Sequence, residues 1–169
     1  SLTSVYIPST ITTIGEQAFR YCDNLKYVTI SEGVLKINQY AFENCKSLES
    51  INIPGSVTYV GAYAFSKCTA LRSATLNYGI KEIYAHAFSE CTNLVSVILP
   101  EDLNTIGNSA FNSCSSLTKI TVPNGVSSIG SSAFSNCKSL TTVVIPESVT
   151  SIGSGAFSYH SSNLRIYGY

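Results

Sequence analysis

The chain has 169 residues with ten basic and ten acidic side chains, so its formal net charge is zero. Charged residues make up 12% of the sequence, which supplies no electrostatic footprint for nucleic acid or for an anionic membrane. No run approaches the roughly 18 consecutive apolar residues of a membrane-spanning helix. We therefore predict no nucleic-acid partner and no membrane insertion for this stretch.

A period of 23 residues runs through the whole sequence. Leucine recurs at this spacing from Leu2 to Leu140, and the pair Ala-Phe recurs from residues 18–19 to residues 156–157. A fixed period of this size predicts a solenoid, in which each repeat is one coil that stacks on its neighbours. We predict a single domain over residues 1–169, with seven repeats. Because the chain begins inside a repeat, we expect it to be a fragment of a longer protein.

The first part of each repeat predicts a β-strand. In residues 48–53, for example, β-branched apolar residues alternate with polar ones, which is the pattern of a strand with one buried face. Seven such strands should form one parallel sheet on the concave face of the solenoid. In five repeats a proline ends the strand, because it has no N–H for the ladder. These prolines are Pro8, Pro54, Pro100, Pro123 and Pro146.

The second part of each repeat predicts a bend and a turn. Glycine recurs at 15, 61, 107, 130 and 153, and we expect it to allow a backbone bend. Asn38 fits this role but Tyr84 does not, so at Tyr84 either the bend is less strained or that repeat is locally distorted. The motif Ala-Phe-x-x-Cys places Phe and Cys three residues apart. This spacing predicts a short helical or 3-10 turn opposite the sheet, with the phenylalanines stacked as a spine.

Six cysteines occupy the same place in successive repeats. Their side chains should run parallel to one another, which does not suit disulfides, and a linear series of thiols does not converge on a metal. We predict free, buried thiols and no metal or other cofactor. After the last turn the period breaks at His160, and residues 158–169 are predicted to be an irregular C-terminal cap whose final strand, from Asn163 to Tyr169, terminates the sheet.

The motifs Leu-x-x-Val-x-Ile-Pro, Ile-Gly and Ala-Phe-x-x-Cys recur in register, and on them the chain resembles the BspA-type leucine-rich-repeat family over residues 1–163. The resemblance implies a leucine-rich-repeat solenoid of the horseshoe class. It also implies an extracellular, secreted or cell-surface bacterial protein that takes part in adhesion to a host or microbial surface protein or glycan. The departures from the pattern are Ser31, Asn77, Asn38, Tyr84, Ala74 and His160.

Two outward surfaces are candidates for ligand binding. The first is the outer side of the strands, where solenoids display variable side chains on a rigid surface. Its notable members are Tyr6, Tyr27, Thr29, Asn52, Thr75 and Ile98. The alternative for this surface is an ordinary sheet face that binds nothing.

The second candidate is an aromatic ridge beside the turns. Tyr40, Tyr63 and His86 are equivalent residues of successive repeats, so stacking should place them side by side. Tyrosine rings can stack on sugars or anchor a protein. They could equally serve to shield the Ala-Phe spine from water.

No arrangement of catalytic residues is visible. The two histidines, His86 and His160, lie in distant repeats, and the cysteines fill core positions where a thiol is inert. The pair Glu101 and Asp102 falls short of the oxygen ligands that calcium requires. We therefore predict a non-enzymatic recognition module; the alternative is a structural spacer that extends other domains from the cell wall.

Overall fold

A computed structural model describes residues 2–168; Ser1 and Tyr169, the ends of the predicted domain, lie outside the described residues. Within that range the chain forms short parallel strands, and partners in neighbouring coils are 23 residues apart. They are β1 (Ser4–Ile7), β2 (Thr13–Ile14), β3 (Tyr27–Ile30), β4 (Lys36–Ile37), β5 (Ser50–Ile53), β6 (Tyr59–Val60), β7 (Ser73–Leu76), β8 (Glu82–Ile83), β9 (Ser96–Ile98), β10 (Thr105–Ile106), β11 (Lys119–Thr121), β12 (Ser128–Ile129), β13 (Thr142–Ile145), β14 (Ser151–Ile152) and β15 (Arg165–Gly168).

The odd-numbered strands form the predicted sheet, which we call the first sheet face. It is divided into three segments: β1-β3, β5-β7-β9 and β11-β13-β15. The strands on either side of the second division, β9 and β11, have three residues each, whereas the other odd-numbered strands have four. Where a final strand was predicted from Asn163 onward, the structure has β15 from Arg165 to Gly168, which pairs with β13; Asn163 and Leu164 lie before the strand. Tyr169, predicted as part of it, lies outside the described residues.

The even-numbered strands form a second parallel sheet that the sequence did not predict. All seven are hydrogen-bonded in one continuous order from β2 to β14. Each has two residues, and in the inner coils the second one, such as Ile37 or Ile83, is fully buried. Neighbouring coils are therefore joined along the second sheet throughout and along the first sheet face within each of its segments, and the core lies between the two.

The predicted helical or 3-10 turn is not confirmed, because no helix occurs anywhere in residues 2–168. In the first coil, the amides of Gln17 and Phe19 donate to carbonyls of the next coil, while the amide of Ala18 donates to Gly15 in its own coil. Gln17 and Tyr21 have φ near +59°, a left-handed conformation that a right-handed helix excludes. The same alternation recurs in later coils, so successive turns form a third hydrogen-bonded side.

The glycine of the Ile-Gly motif does not supply a left-handed bend, and that prediction is wrong. The residues with positive φ come two positions later, as at Tyr40 and Tyr63. The glycine is needed because neighbouring coils approach closely. A Cβ atom at Gly130 would lie 2.5 Å from the amide nitrogen of Asn108 and 2.6 Å from the carbonyl carbon of Gly107.

The predicted phenylalanine spine is confirmed as a continuous column of stacked rings. Ring centres of neighbours are 5.1 Å apart at the N-terminal end, between Phe19 and Phe42, and 5.5 Å apart between Phe134 and Phe157. The interplanar angles do not exceed 9°. Five of the seven rings are fully buried, so each inner phenylalanine packs between two copies of itself.

Candidate functional site

Two tyrosines project from the N-terminal part of the first sheet face. Tyr6 in β1 lies opposite Thr29, and Tyr27 in β3 lies opposite Ser4, so the rings stand diagonally on paired strands. The two side chains are 66% and 54% exposed. The Nζ atom of Lys26 lies 5.3 Å from the centre of the Tyr27 ring, within cation–π range. The structure thus brings three of the predicted first-face residues together.

The other predicted first-face residues lie in a separate segment of the sheet. Asn52, Thr75 and Ile98 stand side by side on β5, β7 and β9, and Ile98 is 61% exposed. The side-chain amide of Asn77 donates to Asn52 Oδ1 at 3.0 Å. Thr29 on β3 and Asn52 on β5 hold equivalent positions in neighbouring coils, so the two groups adjoin although the strand pairing is interrupted between them.

The predicted aromatic ridge is present as a stack of three rings. Ring centres are 5.1 Å apart between Tyr40 and Tyr63 and 4.5 Å apart between Tyr63 and His86, with interplanar angles of 13° and 4°. The guanidinium carbon of Arg20 lies 5.0 Å from the centre of the Tyr40 ring, and Arg20 also pairs with the buried carboxylate of Glu43. The ridge is therefore ordered by stacking at one end and by a cation at the other.

His86 at the end of the ridge is held in its neutral form near pH 7. Burial lowers the pKa of its imidazole below the ordinary value, and the nearby Glu90 carboxylate opposes that shift. A neutral ring presents its face for stacking without carrying a positive charge. The ridge is accordingly an uncharged aromatic surface apart from Arg20.

A groove crosses the second sheet, and the sequence analysis did not predict it. We call it the second-sheet groove; its cavity volume is about 450 Å³. Glycines form its floor, and Glu82 and Tyr84 lie at the end contributed by the earliest coil. The sequence signal was available, because Tyr84 departs from the repeated glycine, but it pointed to a distortion and not to a cavity.

The cysteines are free, as predicted, and have a shared structural role. Each thiol from Cys45 onward donates to the phenylalanine carbonyl of the preceding coil; the distance is 3.1 Å from Cys91 Sγ to the Phe65 oxygen. Burial raises the pKa of the Cys45 and Cys137 thiols to about 12. A thiol that stays protonated is a poor nucleophile, so these groups offer no catalytic chemistry.

We expect one thiol to react in the folded protein and five to react only after unfolding. Cys22 in the first coil is half-buried, whereas the other five are buried and protonated. With Ellman's reagent at pH 8, one equivalent should appear quickly and the rest at the rate of unfolding. The Cys22→Ser variant should lose the fast phase. Fewer than six thiols in denaturant without reductant would contradict the prediction, because it would mean that disulfides exist.

Asp102, the second residue of the acidic pair on the turn after β9, takes part in packing between coils. The Asp102 carboxylate accepts hydrogen bonds from the Gly79 amide at 3.1 Å and from Lys81 Nζ at 2.7 Å. The hydrogen bond from Lys81 lowers the pKa of Asp102, and the Gly79 amide adds to that effect. Over residues 2–168 no group of three or more potential metal ligands is found.

Comparison with known families agrees with this architecture. A family model described as a BspA type leucine rich repeat region matches six copies of its unit, over residues 1–114 and 36–165. The chain belongs to the BspA-type leucine-rich-repeat family. No curated protein sequence matches this BspA-type chain.

Solved structures of bacterial leucine-rich-repeat proteins resemble the BspA-type chain. One from Eubacterium ventriosum has a TM-score of 0.90 at 36% identity, over 95% of this chain and 44% of that one. One from Bacteroides ovatus has a TM-score of 0.61 at 26% identity, over 98% and 55%. The leucine-rich-repeat protein of T. pallidum has a TM-score of 0.56 at 26% identity, over 99% and 73%. The chain therefore spans about half the length of the first two.

Leucine-rich-repeat proteins such as this BspA-type chain are generally protein-binding or structural modules, and the solenoid is typically non-enzymatic. In the part of the chain that the structure describes, no helix has the length and apolar character needed to cross a membrane. The first of these statements concerns the class of protein and names no ligand. The identity of any ligand depends on the outward side chains.

Proposed function

We propose that this chain is a non-enzymatic recognition module at the outer surface of a bacterial cell, and that it takes part in adhesion by binding a host or microbial surface protein or glycan. The observation that carries the proposal is the exposure of Tyr6 and Tyr27 on the first sheet face. Tyrosine rings are costly to leave in water and are enriched at the energetic centres of interfaces. Two such rings on paired strands form a rigid anchor.

The scaffold supports this role because it holds the two rings in place. β1 and β3 are paired over four residues. Hydrogen bonds to neighbouring coils also hold the backbone of a repeat in the second sheet and at the turns. A rigid aromatic surface loses little conformational entropy on binding. In the next three coils the positions equivalent to Tyr27 carry the small side chains Ser50, Ser73 and Ser96, so a pair of tyrosines on neighbouring strands does not recur there.

An extracellular location fits the state of the cysteines. Free thiols in an oxidising environment form disulfides when they are accessible and reactive. Five of these thiols are buried, and burial raises their pKa values, so the fold tolerates such an environment without cross-links. The family resemblance supports the same location.

A spacer function has its own support in the later coils. Hydroxyl groups there bond to the preceding coil: Ser127 to the Asn104 carbonyl, Thr141 to the Thr118 carbonyl and Thr150 to the Ser127 carbonyl. Beyond residue 102 the charged side chains are Lys119, Lys138, Glu147 and Arg165. A neutral surface whose hydroxyls are internally bonded suits a rigid extension.

The anchor is tested by binding to immobilised extracellular-matrix proteins and to a glycan array. We expect wild type to bind at least one of these ligands, and the Tyr6→Ala/Tyr27→Ala variant to bind it at least tenfold more weakly, a loss of about 1.4 kcal/mol. The Tyr40→Ala/Tyr63→Ala variant tests the ridge in the same way. Both residues of the matched control, Tyr78→Ala/Tyr159→Ala, are exposed tyrosines outside these surfaces.

The spacer becomes the better explanation if wild type binds neither the immobilised extracellular-matrix proteins nor any glycan on the array. If wild type binds and both tested pairs leave the affinity unchanged, then both proposed surfaces are wrong. An equal loss in the control variant would point to a general effect of removing tyrosines and would also refute the assignment.

A further inference from the structure

Tyr84 breaks the repeat pattern at a structural cost. At this position the backbone amides of Asn38, Gly61, Gly107, Gly130 and Gly153 donate to the preceding coil. Among the described residues no such bond joins the Tyr84 amide to the Val60 carbonyl, and β6 and β8 pair through a single residue pair, Val60 with Ile83. A Cβ atom at this position comes close to the backbone of the coil before it, as the 2.6 Å contact between Gly107 and the Ile83 oxygen illustrates, but Asn38 carries a Cβ atom and keeps its bond to the Ile14 carbonyl.

The Tyr84 side chain lines the second-sheet groove at the end contributed by the earliest coil. The centre of its ring is 4.8 Å from that of Tyr59, and the two rings are tilted by 59°. The equivalent residue of the next coil is Gly107, which has no side chain to cover the ring. The glycine floor therefore begins directly beside an aromatic ring. Tyr84 departs from the repeated glycine, lacks the hydrogen bond that this position makes in other coils, and lies beside the groove. Such a departure from the repeat pattern is expected at a functional position.

A carboxylate stands beside the ring at the same end of the groove. Glu82 and Tyr84 both line the groove at this end. Burial raises the pKa of Tyr84, and the Glu82 carboxylate raises it further. Of the residues that line the groove, Glu82 is the one with a charged side chain. A carboxylate accepts hydrogen bonds through two oxygens and repels anions.

The rest of the groove carries neutral hydrogen-bonding groups over three further coils. Thr105, Ser128 and Ser151 form a row of hydroxyls along one side, with 3.5 Å between the Thr105 and Ser128 oxygens. On the other side Asn108 accepts a hydrogen bond from the Ser131 amide at 2.8 Å, which fixes the orientation of its own amide group. The groove has a volume of about 450 Å³ and is open to solvent, so it could hold an extended ligand along its length.

We propose that the second-sheet groove binds a neutral saccharide, with one sugar ring stacked on Tyr84 and its hydroxyl groups bonded to Glu82. A pyranose has a face of C–H groups that packs on an aromatic ring and hydroxyls at its edge that need polar partners. The groove offers both at the end formed by Glu82 and Tyr84 and continues as a row of hydroxyls, so further sugar units extend toward Ser151. This site is separate from the Tyr6 and Tyr27 anchor.

Restoring the repeat pattern gives a direct test, because the Tyr84→Gly variant removes the ring together with the Cβ atom at this position. The probes are maltohexaose, cellohexaose, mannohexaose and chitohexaose, with dextran sulfate as the anionic comparison, measured by saturation-transfer NMR and calorimetry. We expect at least one neutral hexasaccharide to bind wild type and to lose tenfold or more in affinity with Tyr84→Gly. The melting temperature of this variant should not fall.

Further variants separate the ring from the fold. Tyr84→Phe keeps the stacking face and should retain binding, whereas Glu82→Gln should weaken it several-fold. If Tyr84→Gly unfolds, Tyr84→Asn replaces it, because asparagine is already present at the equivalent position 38. Tyr78→Ala, an exposed tyrosine outside the groove, is the matched control and should bind like wild type.

The proposal is overturned if none of the four neutral hexasaccharides binds, if dextran sulfate alone binds, or if Tyr84→Gly binds as tightly as wild type. The Tyr6→Ala/Tyr27→Ala variant keeps this question apart from the function proposed above. Saccharide binding in that variant should equal that of wild type. The groove and the Tyr6 and Tyr27 anchor can therefore be refuted independently of each other. A loss there would place the saccharide on the first sheet face and would refute the groove.

Discussion

Replacing Phe88 by alanine should lower the free energy of unfolding by about 3–5 kcal/mol, the range for removing a buried aromatic ring. Phe88 is fully buried, and its ring centre lies 5.2 Å from that of Phe65 and 5.5 Å from that of Phe111. The substitution therefore removes two stacking contacts and leaves a cavity in mid-column. The melting temperature should fall by roughly 6–20 °C, measured by circular dichroism with urea titration alongside.

Phe157→Ala is the matched control at the end of the same column. Phe157 is half-buried and stacks on a single ring, that of Phe134, at 5.5 Å. Its loss should cost clearly less than that of Phe88. Equal effects at the two positions would mean that stacking between coils does not determine the stability of this core.

Adding one methyl group at Gly130 should destabilise the fold by about 1–3 kcal/mol, the usual cost of overpacking. The new Cβ would meet the Asn108 amide nitrogen at 2.5 Å and the Gly107 carbonyl carbon at 2.6 Å. These are backbone atoms that move only if two coils separate. Chemical denaturation of the Gly130→Ala variant measures the effect.

Gly15→Ala is the same substitution at the equivalent position of the first coil. A Cβ atom there would have no neighbour within 4 Å, and its φ is not positive. The variant should match wild type or gain a few tenths of a kcal/mol through the lower entropy of its unfolded state. If Gly130→Ala were as stable as Gly15→Ala, close stacking would not be the reason for the repeated glycine.

Much of this architecture could be predicted from the sequence, because the same residue types recur every 23 positions and so identify the role of each position in all coils. Alternation in segments such as residues 50–53 predicted the first sheet face, and the constant spacing of Ala-Phe predicted the phenylalanine column. The aromatic ridge followed for the same reason: residues 23 apart must lie side by side once the coils stack, as Tyr40 and Tyr63 do.

The second sheet could not be predicted by the same means. Its strands have two residues, as in Lys36–Ile37, and alternation cannot be recognised over so short a segment. The hydrogen bonds that define it come from stacking between coils. The segment therefore becomes a strand because of its neighbours and not because of its own residues.

The turn was mispredicted because its side-chain spacing resembles that of a helix. Phe19 and Cys22 are three residues apart, which fits one face of a helical turn. The backbone reaches that spacing through left-handed residues such as Gln17 and Tyr21, types that do not signal such a conformation in a sequence. The glycine was misassigned for a related reason, because its role depends on the coil before it.

The candidate sites also differ in whether the sequence could predict them. Tyr6, Tyr27 and the aromatic ridge could be placed from repeat positions alone, whereas the second-sheet groove could not. The groove exists because glycines at 107, 130 and 153 leave a row without side chains between two rows that have them. That arrangement depends on the orientation of the second sheet relative to the turns, which cannot be derived from the sequence of one repeat.

The constant offset within each ladder also has a consequence for how such proteins vary in length. Strand pairs and phenylalanine stacks join residues 23 apart, and turn hydrogen bonds such as that from the Gln17 amide to the Gln39 carbonyl join residues 22 apart, so deleting or duplicating one whole unit returns each group to an equivalent partner. Any other change in length would break three ladders at once. Copy number can therefore set the length of the array, while the outward residues of each copy diverge independently and determine what it recognises.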